Sequence, residues 1–249
     1  MPAPIRTYAS LPSTNAEAMR LALAGEPAPF WVTAERQTAG RGRSGRAWVS
    51  EPGNLYASLA VRLTCQPGVL HQLTFVAAVA AVAAIRRSAA APAGQLPLRL
   101  KWPNDILLDG AKLTGILPES TAQAGLVLAV IGIGVNLAHA PDGLARATTC
   151  LAAHGLKITP KMMLDALALE LAATLAVWAE GTGFSVIRER WLADSLAIGT
   201  PMTLHAAEMP VSGTFAGLGP DGALILRDHS GYDRTLTFGD VTLDAAPRG

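Results

Sequence analysis

Cysteine is nearly absent from this chain. Cys65 and Cys150 are the only two, and they form no CxxC pair. Neither a disulfide framework nor a thiolate metal site is expected, and such usage suits a reducing compartment. Each thiol reads as a core or solvent-facing residue rather than a nucleophile. Charge is also sparse, at 16% of residues, and neither sign dominates: Lys+Arg is 20 and Asp+Glu is 19. A dedicated nucleic-acid binder normally carries a basic excess, so no nucleic-acid partner is expected. Any anion site must be a local cluster. The five histidines are scattered and none has the HExxH spacing of a zinc enzyme, so no protein-held metal is expected. The first ten residues, MPAPIRTYAS, lack the apolar run of a signal peptide. Two uncharged stretches have the length of a membrane span. Residues 65–85 are interrupted by Gln66, His71 and Gln72, and residues 120–140 carry glycines and β-branched runs that suit buried strands. The chain reads as soluble and cytoplasmic, with no membrane partner.

What is present is apolar mass. Hydrophobic residues make up 50% of 249, enough to bury one large core and a smaller one. A short strand is expected at residues 5–10. Thr14 to Glu17 fits a capping box, opening a helix to about Leu23 that Gly25 stops. Residues 30–34 read as a strand and 36–46 as a Gly- and Arg-rich loop. Leu55, Ala57, Leu59, Val61 and Leu63 alternate, as in a strand with one buried face. A long alanine-rich helix follows over 67–88. Strands are expected at 98–102, 106–108 and 113–117, the last two joined at Asp109-Gly110, a strong hairpin signal. Residues 126–137 supply another strand and its exit. Thr159 and Pro160 open a helix to about Glu180, and a second covers 184–195. After Gly199 only short strands remain, at 202–205, 211–218, 223–227 and 235–242, with a turn at Asp221-Gly222. The two regions predict an α+β domain over residues 1–197 and a small β-barrel over 198–249.

The segment Gly40-Arg41-Gly42-Arg43-Ser44-Gly45-Arg46 spells GxGxxG. A dinucleotide site would need a helix directly after it and an acidic residue about 20 positions on. Ala47-Trp48-Val49-Ser50-Glu51-Pro52-Gly53 is a poor helix, and Leu59 to Val61 is apolar, so that reading is rejected. No Gly-Lys-Ser/Thr closes a P-loop. Glycines that let backbone approach a ligand, alternating with arginine forks, suit an anion clamp or a solvated loop. Glycine at this density also suits a loop that orders when its ligand binds. Lys101-Trp102-Pro103-Asn104-Asp105 ends one strand and begins the next, and Lys112 starts a third beside Gly115. Ile131-Gly132-Ile133-Gly134-Val135-Asn136 is an apolar strand with a glycine pair, ending in a polar amide.

Together these segments resemble the biotin protein ligases. Ser13-Thr14-Asn15 is similar to that family's biotin-contact motif. Gln37 with residues 40–48 is similar to its adenylate loop, and Lys101 to Asp105, Lys112 with Gly115-Ile116, and Gly132 to Asn136 to its other blocks. The resemblance implies a mixed sheet flanked by helices with a C-terminal SH3-like barrel. It implies two substrates, biotin and ATP, with Mg²⁺ expected alongside ATP. Biotin would form an adenylate and pass to a lysine of a biotin carboxyl carrier protein, that of acetyl-CoA carboxylase first. Lys112, Arg43 and Arg46 take the catalytic roles. Ser13, Thr14, Asn15, Gln37, Gly40, Arg41, Lys112, Gly115 and Ile116 fall on the biotin side. Arg41, Arg43, Arg46, Trp48 and Asn136 fall on the nucleotide side. Asp105 is implied either near Mg²⁺ or beside the incoming amine.

The chain departs from some relatives in two ways. Its motifs begin at Ser13, ahead of which no winged-helix domain fits, so repressor activity is not expected. Residues 138–151 contain no aromatic to cap adenine. Relatives include monomers and homodimers, and both remain open. So do two other functions: a lipoate-protein ligase on the same fold, and an idle sensor of biotin or adenylate.

Overall fold

The computed structural model of the protein describes residues 3–90, 96–123, 125–143, 146–205 and 209–244. In chain order its elements are β1 (Ile5–Leu11), α1 (Thr14–Leu23), β2 (Phe30–Gln37), β3 (Leu55–Leu63), α2 (Leu73–Ser88), β4 (Leu98–Lys101), β5 (Asp105–Leu108), β6 (Ala111–Gln123), β7 (Leu126–Val135), α3 (Pro160–Trp178), α4 (Phe184–Ala193), β8 (Pro201–His205), β9 (Val211–Leu218), β10 (Leu224–Arg227), β11 (Asp233–Leu236) and β12 (Asp240–Leu243). The first seven strands form one sheet in the order β1-β2-β3-β7-β6-β5-β4. Only β1 and β2 pair in parallel, and the other neighbours are antiparallel. The last five form an antiparallel sheet, β11-β10-β9-β8-β12. The expected α+β architecture with a small C-terminal β unit is what forms.

The sheet is covered on both faces. Leu55, Ala57, Leu59, Val61 and Leu63 join the large cluster with Val76, Ala80, Ala84, Leu167 and Leu171 of α2 and α3. On the opposite face Ala60, Phe30, Val32, Leu128 and Val130 pack against Ala18 and Ala22 of α1. The alternation in β3 therefore separates two buried faces, where one buried and one wet face was expected. The reason is α1, whose small side chains let it lie close on the second face. Alanines 77, 78, 80, 81 and 84 of α2 are all buried, which makes α2 a core helix between the sheet and α3. The stretches Pro67–Ser88 and Pro160–Gly181 both reach the length and apolarity of a membrane span. The second carries the Lys161–Asp165 ion pair, and Glu170 on it bonds Arg87 of α2.

Local signals were mostly realised. Thr159 caps α3 by accepting from the Met162 amide at 3.2 Å. Asp109 and Gly110 both adopt positive φ, at 52° and 76°, as a tight two-residue hairpin requires. Three expectations need correction. The N-cap of α1 is Ser13, whose Oγ accepts from Ala16 N, and no Thr14–Glu17 capping box forms. Thr14 points elsewhere, and Glu17 instead bonds Arg20 and Tyr8. β6 runs on to residue 123 because β7 continues to pair with it after its pairing with β5 stops at Gly115. Pro118 is tolerated there, with one flank of β6 unpaired. The strand expected at 235–242 splits into β11 and β12, on opposite edges of the small sheet, with Gly239 at φ 128° between them.

The two sheets share one core. Phe215, Leu218, Leu224 and Val241 of the C-terminal sheet belong to the same cluster as Leu73 and Trp102. Phe75 stacks edge-on against Phe184 at 5.6 Å and Trp191 at 5.7 Å, and Trp191 against Phe215 at 6.4 Å. Gly222, in the turn before β10, lies so close that a Cβ there would sit 2.9 Å from Phe75 and 3.1 Å from Phe184. Trp102 Nε1 donates to Gly222 O at 3.1 Å. Phe75→Ala should cost about 3–5 kcal/mol, the range for deleting a buried ring. Equilibrium urea unfolding should show one transition for both sheets, and two separated transitions would contradict the shared core.

Candidate active site

A cleft of about 830 Å³ opens where β2, the Gly-Arg loop, the β5–β6 hairpin, β7 and the edge of the C-terminal sheet meet. It gathers Ser13, Thr14, Asn15, Gln37, Arg41, Arg43, Arg46, Trp48, Lys112, Gly115 and Ile116 from three of the sequence motifs, and Lys101, Asp105, Gly132 and Gly134 from the other two. Two expected residues do not line it. Gly40, at the start of the loop, is packed so closely that a Cβ would meet Trp48 O at 2.5 Å. Asn136 is buried, and its side chain donates to Thr149 O at 3.0 Å.

One end of the cleft is neutral. Gln37 Oε1 accepts from Thr14 N at 2.8 Å and Thr14 Oγ1 at 3.1 Å, while its Nε2 donates to Ser50 Oγ at 3.0 Å. Ser58, fully buried on β3, reaches Thr14 Oγ1 at 2.8 Å and Asn15 Oδ1 at 2.6 Å. Asn15 Nδ2 donates to Leu117 O at 3.0 Å and Glu119 Oε2 at 2.7 Å. Every polar atom of the Asn15 amide is thus engaged within the protein, so it shapes the wall. The glycines of β6 and β7 are the complement of these side chains. A Cβ on Gly132 would fall 2.2 Å from Asn15 Oδ1. Gly115 and Gly134 face each other across the ladder, and Cβ atoms there would meet the Trp48 ring at 2.6 Å and 2.7 Å. The indole packs against backbone that only glycine leaves bare. Its Nε1 is buried and has no hydrogen-bond partner among the described residues.

The other end is cationic. Lys112 and Asp105 form a short buried ion pair, their side chains 8% and 6% exposed. Lys101 is 3.1 Å from the same carboxylate and Arg146 is 3.7 Å away. Burial alone would raise the Asp105 pKa, but Lys112, Lys101 and Arg146 more than reverse this and hold it below the usual carboxylate range. Burial lowers the Lys112 pKa, and Asp105 offsets the effect in part. Lys112 Nζ also lies 5.5 Å over the Trp48 ring, a cation–π distance. The β5–β6 hairpin sets this geometry: Asp105 pairs in register with Gly115, and Lys112 leads the returning strand opposite Leu107. The segment after β7 closes the side, with Lys112 N donating to Ala147 O at 2.9 Å and Thr149 N to Lys112 O at 3.0 Å.

The Gly-Arg loop holds its own shape. Gly42 N donates to Arg46 O at 2.7 Å and Trp48 N to Gly40 O at 2.9 Å, around a single 3₁₀ turn at Arg43–Gly45. No helix follows, in agreement with rejection of a dinucleotide fold. Arg41 pairs with Glu119 at 3.4 Å. Ser58, Glu119, Arg146 and Asp240 were invisible as site residues in the sequence. None sits in a recognisable motif, and each arrives by long-range packing.

Comparison with known proteins agrees with this geometry. Residues 8–136 match the model of the biotin/lipoate A/B protein ligase family. The chain belongs to that family. It is 41% identical over 226 residues to a biotin--[acetyl-CoA-carboxylase] ligase of Paracoccus denitrificans, covering 88% of this chain and 92% of that protein. It is 34% identical to the bifunctional ligase/repressor BirA of Bacillus subtilis, covering 90% of this chain and 69% of that protein. Its fold matches a biotin protein ligase from Aquifex aeolicus, solved in complex with biotin and ATP, with TM-score 0.80 and 24% identity over 98% of this chain and 99% of that one.

The folded-state pKa of Asp105 lies below its unfolded value. The stabilisation it brings is therefore present above about pH 4 and lost as pH falls through the depressed value. Asp105→Asn should destabilise the protein by about 3–5 kcal/mol near neutral pH, since it leaves buried cations without their partner. Urea titrations from pH 3 to 7 should also find the acid loss weaker in the variant. Equal stability of variant and wild type at pH 7 would remove the cluster's structural role.

Proposed function

We propose that the chain is a biotin protein ligase that activates biotin with ATP and transfers it to a lysine of a biotin carboxyl carrier protein. The observation that carries this is a cleft with a neutral, glycine-floored end and a cationic end meeting at Lys112. Such a site fits an uncharged ring system joined through a carboxylate to a polyphosphate. The similarity to the Paracoccus ligase over most of both chains supports the same reading.

Biotin's carboxylate is ionised at neutral pH and needs no general base. The obstacle is repulsion between it and the α-phosphate, which fixed positive charge relieves. Lys112 would sit between the two as the acyl–phosphate bond forms and pyrophosphate leaves. Arg43 and Arg46 would hold the phosphates, and Arg41 would close the loop over the acid. Ser13, Thr14, Gln37 and the Gly115 backbone would face the ureido ring, with Asn15 and Ile116 as wall. Trp48 would lie at the nucleotide boundary. The carrier lysine then attacks the acyl carbon and AMP leaves. Asp105 and Asp240, the carboxylates lining the cleft, are both committed to cations, so Mg²⁺ would enter on the nucleotide's own phosphates. In this reading residues 1–197 carry the chemistry and 198–249 complete the wall. In this reading it is a ligase without a DNA-directed role, since Lys+Arg is 20 against Asp+Glu 19 and the net charge is +1, with no basic excess.

Purified chain with ATP, Mg²⁺, a carrier domain and either biotin or lipoate should give a biotin adduct by intact mass. A lipoate adduct alone would move the chain to the sister activity, and no adduct would favour a binding-only role. Lys112→Ala should lower biotin-dependent pyrophosphate exchange by about 10²-fold or more, the scale of losing a preorganised donor. In the wild type, exchange should decline on the alkaline side below the ordinary lysine value of about 10.4, as Lys112 loses its proton early. A pH-independent rate up to that value would separate Lys112 from the step.

A further inference from the structure

The cleft contains an internal acceptor set that the ligase reading does not use. Arg46 forms a short ion pair with Asp240, and Arg43 lies 3.6 Å from the same carboxylate. Arg43 also donates to Gly239 O at 3.0 Å, and Lys101 Nζ donates to Val241 O at 2.8 Å. Three cations from two motifs are thus committed to oxygens of three consecutive residues at the start of β12. The turn that presents them is fixed. Gly239 stands at φ 128° with no room for a Cβ, which would lie 2.9 Å from His205 O, and Asp240 pairs in register with His205 of β8.

We propose that residues 239–241 are a built-in surrogate for the terminal phosphates of the nucleotide. They occupy donors of Arg43, Arg46 and Lys101, with Asp240 supplying the one negative charge, and hold the loop folded until the incoming polyphosphate displaces them. This rests on the ligase reading for the identity of the polyphosphate. The physical case is one of charge. Without Asp240, these three side chains would share a cleft with Lys112 and Arg146 in which Asp105 is the one remaining lining carboxylate among the described residues. A single carboxylate with the Arg46 side chain 50% exposed makes a weak pair, and a triphosphate carries several charges to the same donors. Asp240 therefore stabilises the empty loop and opposes nucleotide binding through the same contact.

The test uses the full chain with Asp240→Asn, and Asp240→Ala beside it. In biotin-dependent pyrophosphate exchange the KM for ATP should fall about two- to fivefold, the worth of one or two partly exposed ion pairs, while the KM for biotin stays put. Trypsin should cut at Arg41, Arg43 or Arg46 faster in the unliganded variants than in wild type, and inorganic pyrophosphate should slow the cut in all three. An unchanged or higher KM for ATP overturns the proposal, as does equal cleavage of unliganded wild type and variants. A changed KM for biotin in both variants also overturns it, because it marks general damage to the cleft. If wild type shows no exchange with biotin, the ligase reading fails. The cleavage comparison and its response to pyrophosphate still decide the role of Asp240.

Discussion

Lys112 and Asp105 form the contact around which the site is arranged. A lysine buried to this depth would shed its proton without a carboxylate beside it. A carboxylate buried to this depth would take one up without cations around it. Each holds the other charged; Lys101 and Arg146 further favour the Asp105 carboxylate, while their like charge works with burial to lower the Lys112 pKa. The two residues sit on adjacent strands of one tight hairpin, so seven positions of chain separate partners that the β5–β6 ladder brings into contact. The arrangement leaves excess positive charge facing the cleft, which is what a reaction between two anions requires.

The second constraint is steric. The floor of the cleft is backbone, bared by glycine on two neighbouring strands, and each bare spot is matched to one side chain: Asn15 over Gly132, and Trp48 over Gly115 and Gly134. The Trp48 side chain also meets the cation of Lys112, so the glycine floor, the aromatic ring and the buried ion pair form one packed stack. The neutral and cationic ends of the cleft are coupled through that ring.

Legibility from sequence followed the range of the interactions. The Asp109-Gly110 turn and the Thr159-Pro160 helix start depend on a few adjacent residues, and both formed as read. The cap at Thr14 was misplaced by one position because the hydroxyl was claimed by Gln37, 23 residues away, and by Ser58, 44 away. Periodicity exposed the alternation of β3 but could not say that α1 covers its second face. The split of residues 235–242 hinges on Gly239, which packs on β8 and accepts from Arg43, both distant in sequence. Motif residues gathered as a group in the cleft, with Gly40 and Asn136 outside its lining. Ser58, Glu119, Arg146 and Asp240 carry no local signature, since what makes them part of the site is the partner each meets across the fold.

The junction between the two sheets has a mechanical consequence. The peptide linking α4 to β8 passes Ile198, which is 66% exposed, while the hold between the units comes from Phe75, Phe184, Trp191 and Phe215 and from Trp102 clasping the Gly222 carbonyl. Covalent continuity there is dispensable for cohesion. A chain nicked near Ile198 would travel as one particle through a sizing column, its halves parting only under denaturant.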